Sequence, residues 1–589
     1  MPVPLIATIA DSTIQYKVIF AMKAMFAAVL FSTAATLLPL APAAAQQASP
    51  PPTVTAPPPP AVAPTPTTPL FPRTPPKLIV AISVDQFSAD LFQQYRNHFT
   101  GGFARLLTGA VFPSGYQSHA ATETCPGHST ILTGMRPAHT GIVANNWINQ
   151  SAPRADKIVY CAEDESVAGM NHDTYTVSDT HLKVPTLGEM MKAADPRTRV
   201  VSVAGKDRAA VMMGGHKVDE LWWWDGKTYT SYAGRAVPRA VQRGRDAVAA
   251  MIARPQAALP LPGFCKPLDR PITVAGRAYG QGRFERAAGD LKAFRASPAS
   301  DAAVFAIAAG LIQDMGLGKG PQTDIIDIGA SATDYIGHSL GTQGTEMCIQ
   351  MDQLDQTIGS FLDALDSFGI DYEVMLTADH GAHDMTERQQ QRAMPMEEHV
   401  SADASIKTVD AAIVKALGLK GPALLGAEGD VYVDRDLPPA TRARVLAEAQ
   451  RRFAALPQVA AALTRAQIAA TPLATTPPET WTLAERARAS FDPDRSGDLL
   501  VLLKPRVTTI ETPATGYVET HGSPWDYDRR VPILFWRRGM TGFEQPLSVE
   551  TVDIAPTLAA TIALPVHGLD GRCLDLDPGA TSTCPNAPR

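Results

Sequence analysis

Three groupings of histidine with aspartate stand out along the chain: Asp334 with His338 four residues on, the adjacent pair Asp379-His380, and His521 in Glu519-Thr520-His521-Gly522. Asp85 adds a further carboxylate directly after an apolar run. Carboxylate oxygen plus imidazole nitrogen is the donor set that suits zinc. Two such metals side by side can clamp the attacking and departing oxygens of a phosphoryl transfer. A hydroxyl nucleophile is also on offer, in the run Thr122-Glu123-Thr124-Cys125-Pro126-Gly127-His128-Ser129. Pro126 fits the first turn of a helix, which places Thr124 at a helix N-terminus, where unpaired N–H groups and the helix dipole favour an anion. A metal beside that hydroxyl would activate it as a nucleophile. The plainer reading of Thr124 is an N-cap, and the two roles coexist.

These residues are useful only if the fold brings them together, and the hydrophobic pattern says how. Residues 78–84 form an unbroken apolar run that stops at Asp85. The pattern recurs at 200–204 before Gly205-Lys206-Asp207-Arg208, at 324–328 before the stretch ending in His338, and at 373–377 before Asp379-His380-Gly381. Residues 499–503 and 531–536 read as two further buried strands. Short apolar strands alternating with helical stretches such as 351–368 predict an α/β fold, a mostly parallel central sheet flanked by helices. Such sheets bind ligands beyond the carboxyl ends of their strands, so polar residues at four strand ends are a single site written in one dimension. Two stretches interrupt the rhythm, near 210–320 and 385–495, and are predicted to be insertions capping the catalytic face.

The bulk numbers limit the alternatives. The 589 residues are 45% hydrophobic and 19% charged, with a net charge of -7 and a pI near 6.0, so no basic surface calls for nucleic acid or anionic lipid. Residues 1–45 read as an export region: Met22, taken as the start, and Lys23 precede an apolar run over 24–40 and the small residues Ala43-Ala44-Ala45, the layout of a cleavable secretory signal. Pro39 and Pro42 argue against a retained membrane anchor. Residues 46–76, rich in Pro, Thr and Ala, read as an extended linker, with the catalytic domain over 77–575 and a tail over 576–589. Six cysteines in an oxidising compartment should pair in part; Cys573 with Cys584 is the simplest local pairing, and the absence of any CxxC argues against a cysteine zinc site.

Taken in order, Asp85, the Thr124 segment, Asp334 to His338, Asp379-His380-Gly381 and His521-Gly522 resemble the alkaline phosphatase superfamily, and the segment around Thr124 resembles its threonine-using members. The resemblance implies an alkaline phosphatase-like fold and two zinc ions per chain. One zinc would be held by Asp334, His338 and His521, the other by Asp85, Asp379, His380 and the Thr124 oxygen. It implies that Thr124 is the nucleophile of a covalent phosphothreonine route. Asn145 matches an asparagine that binds a phosphate oxygen, and Lys206 and Arg208 resemble the Lys-x-Arg pair of the broad-specificity, PafA-like group. That pair answers the extra charge of a phosphomonoester, so the reading is a periplasmic or secreted phosphomonoesterase acting on small-molecule phosphate esters. A phosphodiesterase or nucleotide pyrophosphatase on the same fold is the alternative, and a non-catalytic exported metal-binding protein is the rival of another class. Cys125 invites a sulfatase reading, which Pro126 directly after it disfavours. His128 is expected to be structural, His383 to support the metal ligands from behind or to be structural, and Trp147 and Trp222 to Trp224 to be core or pocket wall.

Overall fold

The computed structural model describes residues 70–392, 394–427 and 429–585. The export region and residues 46–69 of the linker lie outside them. Ten strands make one sheet. Its centre is five parallel strands in the spatial order Tyr372–Thr377, Leu78–Val84, Asp324–Ala330, Val200–Ala204, Glu220–Trp224. Beyond the first of these, Arg530–Arg537 runs antiparallel and pairs in turn with Ala110–Tyr116. The central strands are buried on both faces, which is why each reads as a continuous apolar run.

Alternate residues feed two cores. Val80, Ile82, Ile326 and Leu376 face the helices Pro298–Met315 and Thr345–Ser367. Ile79, Ala81, Ile325 and Met375 face the other way, toward Ile131 and Leu132 of the helix Thr124–Thr133. The result is a three-layered α/β/α body with the parallel strands ending in register, Val84 opposite Ala330 and Ser83 opposite Thr377. Asp85, Lys206, Asp334 and Asp379 therefore emerge along one edge of the sheet.

The structure corrects several expected boundaries. The segment 210–320 is not a cap along its length: Glu220–Trp224 and Tyr229–Thr230 extend the central sheet, and Trp222 is core. Leu499–Leu503 is not a strand of the central sheet. It belongs to a separate antiparallel sheet with Leu424–Ala427, Asp430–Val433 and Val459–Thr464, which the helices Ile406–Leu417 and Pro439–Ala454 cover to form their own core. Nor is it buried along its length: only Leu499 and Leu502 of the run are buried. The folded body also begins before Lys77 and continues past 575. Phe71 and Leu576 are both buried in the second core, and Arg73 pairs with Asp577 at 2.7 Å. All six cysteines are bridged, as Cys125–Cys161, Cys265–Cys348 and Cys573–Cys584. No helix among the described residues is long and apolar enough to cross a membrane.

Candidate active site

Two clusters of potential metal ligands form at the strand ends: Asp85 with Asp379 and His380, and Asp334 with His338 and His521. Within each, the donor atoms lie within 4.8 Å of one another. In the first, His380 Nε2 stands 3.5 Å from Asp85 Oδ1 and 3.3 Å from Asp379 Oδ2. In the second, the Nε2 atoms of His338 and His521 converge on Asp334 Oδ1 at 3.3 and 3.4 Å. The rings of His380 and His521 stack at 3.6 Å, joining the clusters.

The imidazoles share one arrangement. Each Nδ1 faces a backbone carbonyl: Gly381 at 3.0 Å, Glu519 at 2.8 Å and Thr122 at 2.8 Å for His380, His338 and His521. A carbonyl only accepts, so Nδ1 carries the proton and Nε2 offers its lone pair to the cluster. His380 Nε2, Asp85 Oδ1 and Asp334 Oδ1 are buried without a hydrogen-bond partner, which is costly unless something else meets them. Three buried carboxylates face one ammonium, that of Lys206. A pair of divalent cations fits this donor set and this surplus of negative charge.

The electrostatics reflect the crowding. Burial and the neighbouring Asp334 and Asp379 push Asp85 well above the usual carboxylate range. Burial also opposes charge on Asp334, but Lys206 and His338 overcome it and hold that carboxyl well below its usual value. Burial works against the charge of His338 as well, yet Asp334 prevails and lifts it to about 9. His380 is pushed down to about 3, mainly by burial.

Thr124 is the first residue of its helix, not the cap, a position that falls to Glu123. The Asn145 side chain joins the site by accepting the Cys125 N–H at 2.9 Å through Oδ1, which leaves its amide N–H groups as donors. The helix closes onto the Asp379 loop because residue 127 is glycine: any Cβ there would collide with the Asp379 carbonyl. His128 fixes the same contact, its Nδ1 lying 2.9 Å from the Thr124 carbonyl and 3.1 Å from Asp379 Oδ2. Lys206 bridges the two clusters, with Nζ 2.6 Å from both Asp85 Oδ2 and Asp334 Oδ2 and 3.3 Å from Thr124 Oγ1. Arg208 stands apart from them. Its guanidinium donates to the Tyr160 hydroxyl at 3.3 Å and lines a neighbouring cleft with Lys206 and Tyr335. His383 is partly buried beside Tyr527 and 3.5 Å from Glu397, on the wall of a cavity of about 440 Å³ that also contains Asn145, His338 and His521. Trp147 is core.

Two residues at the site escaped the sequence reading. Gln86 follows Asp85 with a left-handed backbone, φ 66°. That turn sends its N–H to Asp379 Oδ1 at 3.0 Å, and its side chain donates to Glu519 Oε2 at 3.1 Å. Gly337 leaves room for the Gln86 side chain. Glu519 is buried, and burial pushes it up to about 8. Adjacency to Asp85 and His521 was the available signal for both.

The family model described as type I phosphodiesterase / nucleotide pyrophosphatase matches residues 79–524. Alkaline phosphatase PhoK of Sphingomonas sp is 58% identical over 519 residues, 87% of this chain and 93% of that protein. Alkaline phosphatase PhoD of Zymomonas mobilis is 47% identical over 518 residues, 86% and 89% of the respective chains. In fold, the chain is similar to the crystal structure of alkaline phosphatase PafA, with a TM-score of 0.73 at 24% identity over 86% of this chain and 99% of that one.

Proposed function

The chain belongs to the type I phosphodiesterase / nucleotide pyrophosphatase family of the alkaline phosphatase superfamily and is a phosphoric ester hydrolase; from that premise we propose that it is an exported, two-zinc phosphomonoesterase working through a phosphothreonine at Thr124. The observation that carries this reading is the place of the Lys206 ammonium, 3.3 Å from Thr124 Oγ1 and between Asp85 and Asp334.

Asp334, His338 and His521 would hold one metal ion, and Asp85, Asp379 and His380, with the Thr124 oxygen, the other. Bound there, the ions supply Lewis-acid polarisation of the phosphoryl group and lower the proton affinity of the oxygens they touch. The chain's own groups account for the remainder. Thr124 Oγ attacks phosphorus in line with the ester oxygen; a Thr124 O–P bond forms as the ester P–O bond breaks, and the alcohol leaves with a proton. Water then attacks the phosphothreonine, releasing inorganic phosphate and returning the hydroxyl. Lys206 and the Asn145 carboxamide stabilise charge on the non-bridging oxygens. Arg208 assists from the adjoining cleft.

Export is supported by the layout of residues 1–45 and by the bridging of all six cysteines, which suits an oxidising compartment. A diesterase reading draws support from the 440 Å³ cavity beside His338 and His521, part of whose wall is apolar: Val143, Phe491, Leu500 and Leu502. Comparing p-nitrophenyl phosphate with bis(p-nitrophenyl) phosphate decides between the two. The monoesterase reading requires the higher kcat/KM on the monoester, and a phosphate adduct on Thr124 in acid-quenched enzyme. A higher kcat/KM on the diester overturns it.

A further inference from the structure

The residues on either side of Thr124 both hold Asn145. Glu123, which is buried, accepts the Asn145 backbone N–H on Oε2 at 2.6 Å. Cys125 donates its N–H to Asn145 Oδ1 at 2.9 Å. A third contact comes from the far side. The Cys161 N–H donates to the Asn145 carbonyl at 2.9 Å, next to the antiparallel pair Asn146–Ile148 and Ile158–Tyr160. The Cys125–Cys161 bridge closes the ring, joining the two N–H donors covalently across 36 residues of sequence.

A carboxamide has two unlike ends. Its oxygen repels a phosphoryl oxygen, while its N–H groups bind one. A backbone N–H only donates, so the Cys125 amide claims Oδ1 and leaves the NH2 end for the substrate. Asn145 is thus held at its backbone N–H, its carbonyl and its side-chain oxygen, in each case by Glu123, Cys125 or Cys161. Such restraint matters, because a misplacement of about 1 Å in a positioning group can cost on the order of 10²-fold in rate. Both bridged cysteines are fully buried. The bridge is therefore a permanent part of the folded enzyme, one that substitution breaks cleanly and a reductant does not reach.

Building on the phosphatase reading, we propose that the Cys125–Cys161 bridge, with Glu123, is a positioning clamp that holds the Asn145 carboxamide in register with the Thr124 nucleophile. The clamp touches no substrate. It acts through Asn145, whose N–H groups meet a non-bridging oxygen of the phosphoryl group, so its effect disappears once that carboxamide is gone. A bridge that only stabilised the fold would act whether or not Asn145 were present.

A double-mutant cycle tests this. Cys125→Ala with Cys161→Ala removes the bridge and keeps both backbone N–H donors. In otherwise native enzyme the pair should lower kcat/KM on p-nitrophenyl phosphate roughly tenfold and raise the inhibition constant of inorganic phosphate by a similar factor, the scale of one hydrogen bond to a charged group. In the Asn145→Ala background the same pair should change either quantity by no more than about twofold. Removing the remote bridge, with Cys573→Ala and Cys584→Ala, should lower the melting temperature and leave kcat/KM within about twofold. A comparable activity loss from that control would assign the effect to stability and overturn the clamp. If the enzyme without the Cys125–Cys161 bridge does not fold, Glu123→Ala takes its place in the cycle with the bridge intact. Its loss should again vanish beside Asn145→Ala, and Glu123→Gln, which keeps an acceptor oxygen, should restore part of it. Equal losses in the two backgrounds overturn the clamp, as does an unbridged enzyme with native kcat/KM. Failure of the phosphatase reading itself is distinct: the native enzyme would not hydrolyse p-nitrophenyl phosphate.

Discussion

The two ligand clusters are chemically alike and structurally different. Asp85, Asp379 and His380 stand at the ends of two adjacent, register-matched strands, and their side chains are at most 1% exposed. Asp334 and His338 sit one turn apart on the helix Ala332–Leu340, while His521 arrives on a loop from a distant part of the chain. There the His338 side chain is 21% exposed and opens onto the cavity. One site is set by the sheet and sealed; the other is closed by a loop and reachable from solvent. That difference suits a nucleophile held still on one side and a leaving group and water passing on the other.

Breaking the sealed cluster should have the largest effect. Asp379→Ala removes a proposed metal ligand and also the acceptor of the Gln86 and His380 N–H groups, each at 3.0 Å. We expect loss of one metal ion per chain and a fall in kcat on the order of 10³-fold or more, since several kcal/mol of charge stabilisation goes with it. Elemental analysis alongside steady-state rates checks both. A variant keeping its full metal content would show that Asp379 is not a ligand.

The open cluster should fail more gently and reversibly. His521→Ala should lower kcat by ~10²-fold, and excess zinc or added imidazole should recover part of it because solvent reaches the vacated position. The same additions should do nothing for Asp379→Ala. Titration with a chelator should likewise release the ions in two phases. Equal rescue of both variants would erase the distinction between the clusters.

A third change probes how the clusters are held. Glu519 supports both: its carbonyl accepts from His338, and its carboxyl accepts from Gln86, whose N–H fixes Asp379. Glu519→Gln should cost about tenfold in kcat with little change in KM, the usual scale for residues behind metal ligands. An unchanged metal affinity would mean that Glu519 only fills space.

Much of this was legible in the sequence, for a physical reason. A central parallel strand must be apolar on both faces, so the polar residue that ends it is conspicuous, and Asp85, Lys206 and Asp379 announced themselves in that way. Leu499–Leu503 was misplaced because the same apolar signal serves any buried sheet. Trp222 was read as possible pocket wall because nothing local distinguishes a lid from an edge strand. Gln86 and Glu519 stayed hidden because their roles depend on a left-handed turn and a contact across more than four hundred residues.

The smallest effect on turnover, and a control for the whole comparison, lies at the opposite end of a catalytic strand. The strand Tyr372–Thr377 leads to Asp379 at one end and holds Glu373 at the other. Both carboxylates are buried, but among the described residues Glu373 belongs to neither ligand cluster and has only Thr561 and Arg537 to favour its charge. Burial therefore pushes its pKa up to about 7, only partly countered by Thr561 and by Arg537. Between about pH 4.5 and 7 the folded chain binds a proton there that the unfolded chain has released, so stability falls as pH rises through that window. Above it the buried charge destabilises the fold by on the order of 3 kcal/mol. Glu373→Gln carries no charge at any pH, so its stability relative to native protein should rise from pH 5 to pH 9, while kcat/KM stays within about twofold. Denaturant melts at the two pH values measure this. If the variant gains nothing at pH 9, Glu373 is ionised at little cost, and burial alone would not explain why the carboxylates at the other end of the strand need cations.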